Sequence, residues 1–290
     1  EAINCSANSC VAKIHQTCAT FVFMLKSISI YPVKSLNGLE LTSSEVLQHG
    51  LKYDRNWMLV DSKNTFITRR ERPELSLIET SLSENGFRFS FNNQSEILAT
   101  GTNDFQQEKI ESKVWDSNVF GYEESKKLNT FFSDFLKEEV RLIRMPLQPE
   151  RIEMAPLTGE STSSSFADSF PILILGSASL DALNAQLEEP IDARYFRPNL
   201  LFQTERSFEE DEWQAIQIGN ALLRKAKACG RCRMINVNPD TGIYRTDVMR
   251  ELAKLRTVKN KVILGDLYYP VQTGSIELHS EVKVFTTFNT

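Results

Sequence analysis

The chain lacks the features that would place it in several broad classes. No apolar run reaches the roughly 18 residues that a membrane-crossing helix requires. Positive charge is not in excess, since the formal net charge is −5. Affinity for phosphate backbones comes from a basic face, so this balance disfavours a nucleic acid or an anionic membrane as partner. Histidine occurs only at His15, His49 and His279, which are widely dispersed. Of the five cysteines, Cys5, Cys10 and Cys18 fall in the first 23 residues. The two others, Cys229 and Cys232, are too few for a disulfide framework. They point to a reducing, cytoplasmic setting and to a chemical role. Internal repeats and low-complexity tracts are also missing.

What remains is the composition of a globular protein, with 41% hydrophobic and 24% charged residues. Its 290 residues suffice for two ordinary domains or one large one, with a core that needs no staples. The first 23 residues stand apart. They open on Glu1 and show no clear periodicity, and the first methionine, Met24, directly precedes the strand-like Leu25-Lys-Ser-Ile-Ser-Ile-Tyr31. Residues 1–23 are therefore expected to lie outside the fold. The run Phe21–Leu25 is too short for a secretory core and has no small-residue cleavage site nearby.

From residue 26 to 123 the chain reads as short strands parted by turn residues. Glu84-Asn-Gly86 between Leu75–Leu82 and Phe87–Phe91 signals a hairpin, because Asn-Gly supplies positive φ. The period then changes. Leu128, Phe131, Phe132, Phe135 and Leu136 recur at helical spacing over 124–138. Residues 146–166, with three prolines and a serine cluster, read as a linker or mobile loop. Beyond it come an apolar strand at Ile172–Leu175, a short helix capped by Ser177, strands at 199–203, 214–218, 221–228 and 233–237, a helix near 246–255 and three closing strands. The expected fold is mainly β with a few helices (α+β): an N-terminal barrel-like domain over 24–145 and a second β-barrel over 146–290.

Cys229-Gly-Arg-Cys232 is the most informative local feature. Such a pair can be half of a structural zinc site, but two further ligands are needed. It can be a redox dithiol, but that pair should open a helix, and here it lies between strand-like segments. It can supply one thiolate to a soft transition metal, and Arg231 and Arg233 beside it would favour the thiolate. Or both cysteines are simply packed in the core. Other polar segments stand at strand ends: Tyr31-Pro-Val-Lys-Ser35, Asp54-Arg-Asn-Trp57, Thr68-Arg-Arg-Glu-Arg72, Asp168-Ser-Phe-Pro171, Phe196-Arg-Pro-Asn199 and Asn238-Pro-Asp-Thr-Gly242.

Taken in order, these segments resemble the MOSC family in its two-domain form with an N-terminal MOSC barrel, and within it the amidoxime-reducing proteins. The resemblance covers residues 24–285. It implies a molybdenum cofactor (molybdopterin) whose protein ligand is the second cysteine, Cys232, leaving Cys229 to packing. It also implies that Lys34, Ser35, Arg55 and Arg197 hold the phosphate and pterin, with Ser169 and Asn199 as neighbours. Arginine forks suit a phosphate dianion. Arg69, Arg70 and Arg72 follow less clearly, since a strand alternates faces and cannot aim all three into one site. Three departures from the family stand out: Asn238 where an aspartate is usual, Ile235-Asn236 in place of a threonine pair, and His279-Ser-Glu281 in place of Gly-Asp.

The resemblance implies reduction of N-hydroxylated compounds such as amidoximes and hydroxylamines. The electrons would come from a separate redox protein of the ferredoxin, flavodoxin or cytochrome b5 type. A persulfide carrier acting through Cys232 and a non-catalytic cofactor carrier are the rival functions.

Overall fold

Short runs of β-branched and aromatic residues, cut by turn residues, fold into strands in the computed structural model, which describes residues 23–100 and 109–287. Among these residues there are three α-helices, Lys126–Leu136, Ser177–Asn184 and Asp247–Leu255, and the rest is mostly β. The largest sheet has nine strands. Its order runs Leu39–Leu41, Met24–Ile30, Leu200–Gln203, Ile172–Gly176, Lys261–Gln272, Ala221–Gly230, Ala215–Ile218 and Val282–Phe285, with Thr257–Val258 paired to Lys261–Gln272. A second sheet joins Trp57–Asp61, Val140–Arg144, Ser117–Glu123 and Lys109–Val114.

The strands cross the division near residue 145 in both directions. Met24–Ile30 pairs antiparallel with Leu200–Gln203. In return, Gly274–Glu277 pairs with Ser43–Leu47. One apolar core follows from this exchange: Leu25, Ile28, Trp57, Phe89 and Phe132 from the first half share it with Phe202, Trp213 and Tyr268 from the second. Phe23 also packs on Trp213, with ring centroids 4.6 Å apart, so it belongs to the fold. The expectation for residues 1–22 lies outside the described residues.

Asn199 staples the seam and is 1% exposed. Its backbone N–H donates to Leu173 O (2.8 Å), and its C=O accepts from Ser29 N (2.8 Å). Its side-chain Oδ1 accepts from Leu173 N (3.0 Å), and its Nδ2 donates to Ser29 O (3.1 Å). A single side chain thus ties the first strand to Ile172–Gly176.

Several details differ from the sequence pattern. The segment 146–166 is not an open linker. It holds the hairpin Ile152–Met154 and Ser161–Ser163, and buried Arg151 pins its base by donating to the carbonyls of Ser165 (3.3 Å) and Ala167. Residues Arg233–Asn236 form a short 3-10 turn instead of a strand. Its apolar residue Ile235 is buried against the helical layer, which reads as an alternating strand when only the sequence is visible. The helix at Ser177–Asn184 is entered through Gly176, and the Ser177 hydroxyl accepts from Thr204 N (3.2 Å) instead of capping. The Asn85–Gly86 hairpin forms, but its first strand is Glu79–Ser83, because Pro73 opens a 3-10 turn over Pro73–Leu77 where the strand was expected to begin. At Gly86, with φ +151°, a Cβ would stand 2.1 Å from Leu98 O, so no other residue fits there.

Replacing Asn199 with Ala strands the Leu173 N–H and the Ser29 C=O in a buried seam. Each unsatisfied group costs about 1–3 kcal/mol, so Asn199→Ala is expected to lose roughly 2–5 kcal/mol in urea unfolding. A loss below about 0.5 kcal/mol, the range of an ordinary surface change, would show that the seam does not depend on this staple.

Candidate functional site

The strand exchange brings loop ends from both halves to one cleft of about 730 Å³. Lys34 and Ser35 follow the strand Met24–Ile30, and Lys34 N donates to Trp57 O (2.7 Å). Arg55 sits in the turn before Trp57–Asp61, with its N–H on Tyr31 O (2.9 Å). Arg197 and Asn199 precede Leu200–Gln203, Ser169 precedes Ile172–Gly176, and Cys232 lies just past the end of Ala221–Gly230. All seven residues singled out from the sequence (Lys34, Ser35, Arg55, Ser169, Arg197, Asn199 and Cys232) line this cleft.

Three of them carry unusual backbone. Ser35 (φ 71°), Arg55 (φ 51°) and Arg197 (φ 56°) are left-handed. Such conformations cost a non-glycine residue about 1–2 kcal/mol each. They are held in place by the surrounding bonds, as strained backbone at functional sites generally is.

The cleft wall is rich in guanidinium. Arg55 and Arg197 both lie over the ring of Tyr31, at 4.3 and 4.1 Å from its centroid. Arg55 Nη1 donates to Asp54 Oδ2 (2.5 Å) and Asn199 Oδ1 (3.1 Å). Its Nη2 donates to Arg197 O (3.2 Å). Arg197 Nη1 donates to Leu36 O (2.5 Å). Behind them, buried Arg69 donates to Ser35 O (3.0 Å) and Asn37 Oδ1 (2.6 Å). Asp54, buried at 2% exposure, is the carboxylate set among them. Burial raises its pKa, against the charge and hydrogen bond of Arg55, the Tyr31 N–H and the Asn199 amide. For Arg197, burial and then the charges of Arg69 and Arg55 pull the pKa well down. One carboxylate among three guanidiniums leaves this wall short of negative charge, and a bound anion would relieve it.

On the other side, Lys34 Nζ donates to Phe166 O (2.8 Å) and forms an ion pair with Asp168. Burial lowers the Lys34 pKa, against the pull of Asp168. For Asp168, burial opposes ionisation, but the Lys34 charge and hydrogen bond, then Arg70 and Trp115, outweigh it and bring the carboxyl down to about 2.

The two cysteines occupy different environments. Cys229 is buried, and burial pushes its thiol pKa up. Cys232 is exposed at the cleft. The arginine that faces it is neither sequence neighbour. Arg231 turns onto Leu264 O (2.6 Å) and Phe196 O (3.1 Å), and Arg233 points to Glu71 at 4.0 Å. Arg70 Nη1 instead lies 4.0 Å from Cys232 Sγ. Strand alternation does not govern 69–72, because that segment is a turn closed by Glu71 N and Arg72 N on Thr68 O. It aims Arg69 into the wall and Arg70 into the cleft, while Arg72 leaves to meet Glu74 (2.6 Å) and Leu136 O (2.7 Å).

Asn238 and Asn236 have local partners. Asn238 Oδ1 accepts from Asp240 N (2.9 Å) and Thr241 N (3.1 Å), which shapes the turn. Asn236 Oδ1 accepts from Met249 N (2.8 Å) at the start of Asp247–Leu255. The sequence pattern left Arg70 undecided among Arg69, Arg70 and Arg72, and gave no sign of Trp115. No signal at Trp115 could have found it, since its place depends on a hairpin tip reaching the cleft.

Comparison with known proteins gives two family matches. Residues 22–139 match the MOSC N-terminal beta barrel domain, and residues 161–283 match the MOSC domain. The chain is 29% identical to mitochondrial amidoxime-reducing component 1 of Danio rerio, over 92% of this chain and 86% of that protein. It is 29% identical to the human protein of the same name, over 80% and 69%. Similarity at 29% to the molybdenum cofactor sulfurase of Oryza sativa subsp. japonica covers 95% of this chain but only 35% of that longer protein. Among the described residues no helix is long and apolar enough to cross a membrane.

The Asp168 carboxyl titrates lower in the folded chain than when unfolded, so its stability contribution is present above its unfolded pKa and is lost as pH falls through about 2. The chain should therefore exceed Asp168→Asn in stability by a constant margin above about pH 5. That margin should narrow below about pH 4, where the unfolded carboxyl takes up its proton. Urea midpoints across this range check it. A margin that is absent at neutral pH, or unchanged at low pH, contradicts the ion-pair account.

Proposed function

Because the chain belongs to the MOSC-domain proteins, with the N-terminal barrel domain ahead of the MOSC domain, we propose that its cleft binds a molybdenum cofactor and that the chain is an oxidoreductase reducing N-hydroxylated compounds. The observation that carries this reading is the meeting of an exposed, unpaired thiol with a wall of guanidiniums short of negative charge. The residues fit the group. A 730 Å³ cleft lies within the range that holds a drug-sized ligand. Among the described residues no three His, Cys, Asp or Glu side chains cluster to hold a bare metal ion. A metal at Cys232 would therefore need its remaining ligands from the bound group, as a pterin-carried metal supplies them.

When bound, the cofactor supplies the two-electron chemistry that removes the oxygen of an N–OH group. The chain's own residues bind and orient. Arg197 uses Nη1 on Leu36 O, and the rest of its fork has no hydrogen-bond partner among the described residues, so it is open to a phosphate oxygen. Arg55 is fixed by Asp54 and Asn199 and adds a second positive charge. Ser35 and Ser169 offer hydroxyls, and Lys34, held by Asp168, lines the same cleft. Asn199 acts as a brace, since its amide oxygen is already taken by Leu173 N and Arg55. Arg70 stands beside Cys232, with Nη1 4.0 Å from its Sγ. Each turnover needs two electrons and two protons and releases water. A separate redox protein of the ferredoxin, flavodoxin or cytochrome b5 type is the electron source, and the cytoplasm is the proposed setting.

A second reading, a sulfur carrier with a Cys232 persulfide, is favoured by the exposed thiol and by the likeness to the rice sulfurase. Metal, pterin and sulfane-sulfur analysis of chain expressed in a cofactor-competent host separates the two. We expect molybdenum and pterin near one per chain. Sulfane sulfur without molybdenum would replace the reductase with the carrier. Cys232→Ser should lose the metal and all amidoxime reduction, while Cys229→Ser keeps most of both. Equal loss in both variants would point to a dithiol mechanism. Arg55→Lys or Arg197→Lys should each lower cofactor affinity about ten- to a hundredfold, since a charge-assisted hydrogen bond contributes about 1.5–3 kcal/mol.

A further inference from the structure

Trp115 stands at the tip of the hairpin between Lys109–Val114 and Ser117–Glu123, where the first half reaches the cleft. Its backbone is left-handed, with φ 56°. Glycine or asparagine is the ordinary choice at such a position, and a bulky aromatic is an outlier there. The side chain is nevertheless 49% exposed, whereas the other two tryptophans, Trp57 and Trp213, are each 2% exposed. A strained backbone that presents a large apolar ring to solvent gains nothing for folding.

The ring is also held still. Its Nε1 donates to Asp168 Oδ1 (3.2 Å). The Arg70 guanidinium lies over it, 4.2 Å from the centroid, and Phe66 meets it edge to face at 6.0 Å. Arg70 is the arginine whose Nη1 lies 4.0 Å from Cys232 Sγ. One guanidinium therefore touches both the indole and the thiol.

Resting on the reductase reading above, we infer that Trp115 is a specificity-determining platform that selects flat, conjugated N-hydroxylated compounds over small aliphatic ones. The aryl body of the substrate stacks on the part of the indole open to the cleft. Its polar N–OH end is directed by Arg70 toward Cys232. Every aromatic ring offers a π-face, so the platform recognises a class of compound and not one molecule. Arg70 already occupies part of the indole and ties it to the thiol, so stacking fixes the distance between the aryl body and the reacting end.

The test uses the full chain, with benzamidoxime as flat probe and acetamidoxime as small probe. Trp115 is the exposed indole, so benzamidoxime should quench tryptophan emission saturably and acetamidoxime should not. This readout needs no turnover. In steady-state kinetics, Trp115→Ala should lower the preference for benzamidoxime over acetamidoxime by about tenfold, mainly through KM, as loss of one stacking contact implies. Trp115→Tyr should recover most of it. Molybdenum content measured alongside separates substrate selection from cofactor loss. If the parent chain reduces neither compound, the reductase reading fails, while the quenching still decides whether the platform binds flat compounds. An unchanged preference in Trp115→Ala, or no saturable quenching, overturns the inference.

Discussion

The structure depends on one buried carboxylate. Asp54, 2% exposed, accepts from the Tyr31 N–H at 2.8 Å and from Arg55 at 2.5 Å. Burying a charge is costly unless it is paired and fully hydrogen-bonded. Here the pairing reaches the second half of the chain through Arg55, which also donates to Asn199 Oδ1 and Arg197 O. The pairing fixes Arg55 against Asn199, and Asn199 against the first strand and Ile172–Gly176. The same carboxylate offsets only part of the charge of Arg55, Arg69 and Arg197. The network that joins the halves thus also leaves their junction electropositive, in a chain whose net charge is −5. Local arrangement, not overall charge, makes the cleft attractive to an anion.

Much of the strand order and the cleft membership could be read in the sequence, because strand ends carry polar residues for a reason. Lys34 and Cys232 stand just past the end of a strand, Arg55 and Arg197 just before the start of one, and antiparallel neighbours bring such ends to the same edge. What could not be read was the direction of individual side chains. Arg70 faces the thiol because residues 68–72 form a turn, and turn geometry was invisible beneath an alternating pattern. Arg231 is adjacent to Cys232 in sequence but is drawn inward by two carbonyls. The left-handed backbone at Ser35, Arg55, Trp115 and Arg197 left no mark either, because the usual signal for it is glycine, and none of these is glycine.

The order of 146–166 has a similar explanation. Prolines and serines suggest mobility, yet Arg151 is buried beneath the segment and fastened to its carbonyls, and Lys34 Nζ holds Phe166 O from across the cleft. A composition rule sees the loop residues but not the two cations that immobilise them. The irregular backbone that leads into Ala167, Asp168 and Ser169 of the cleft is thereby tied down, which is what a binding constellation requires of its supports.

The pairing of the first strand has a further consequence, for synthesis. Ser29 finds its partner Asn199 across 170 residues. Leu39–Leu41 can cover one edge of Met24–Ile30 early, but a chain emerging from a ribosome must leave the other edge unpaired until Leu200–Gln203 has appeared, about ten seconds or more later at ordinary translation speeds. During that interval an apolar strand edge stands open, the condition under which nascent β chains misassociate. A strand made early is thus among the last to be fully secured, and the yield of folded molecules would depend on how that edge is shielded while the rest is being built.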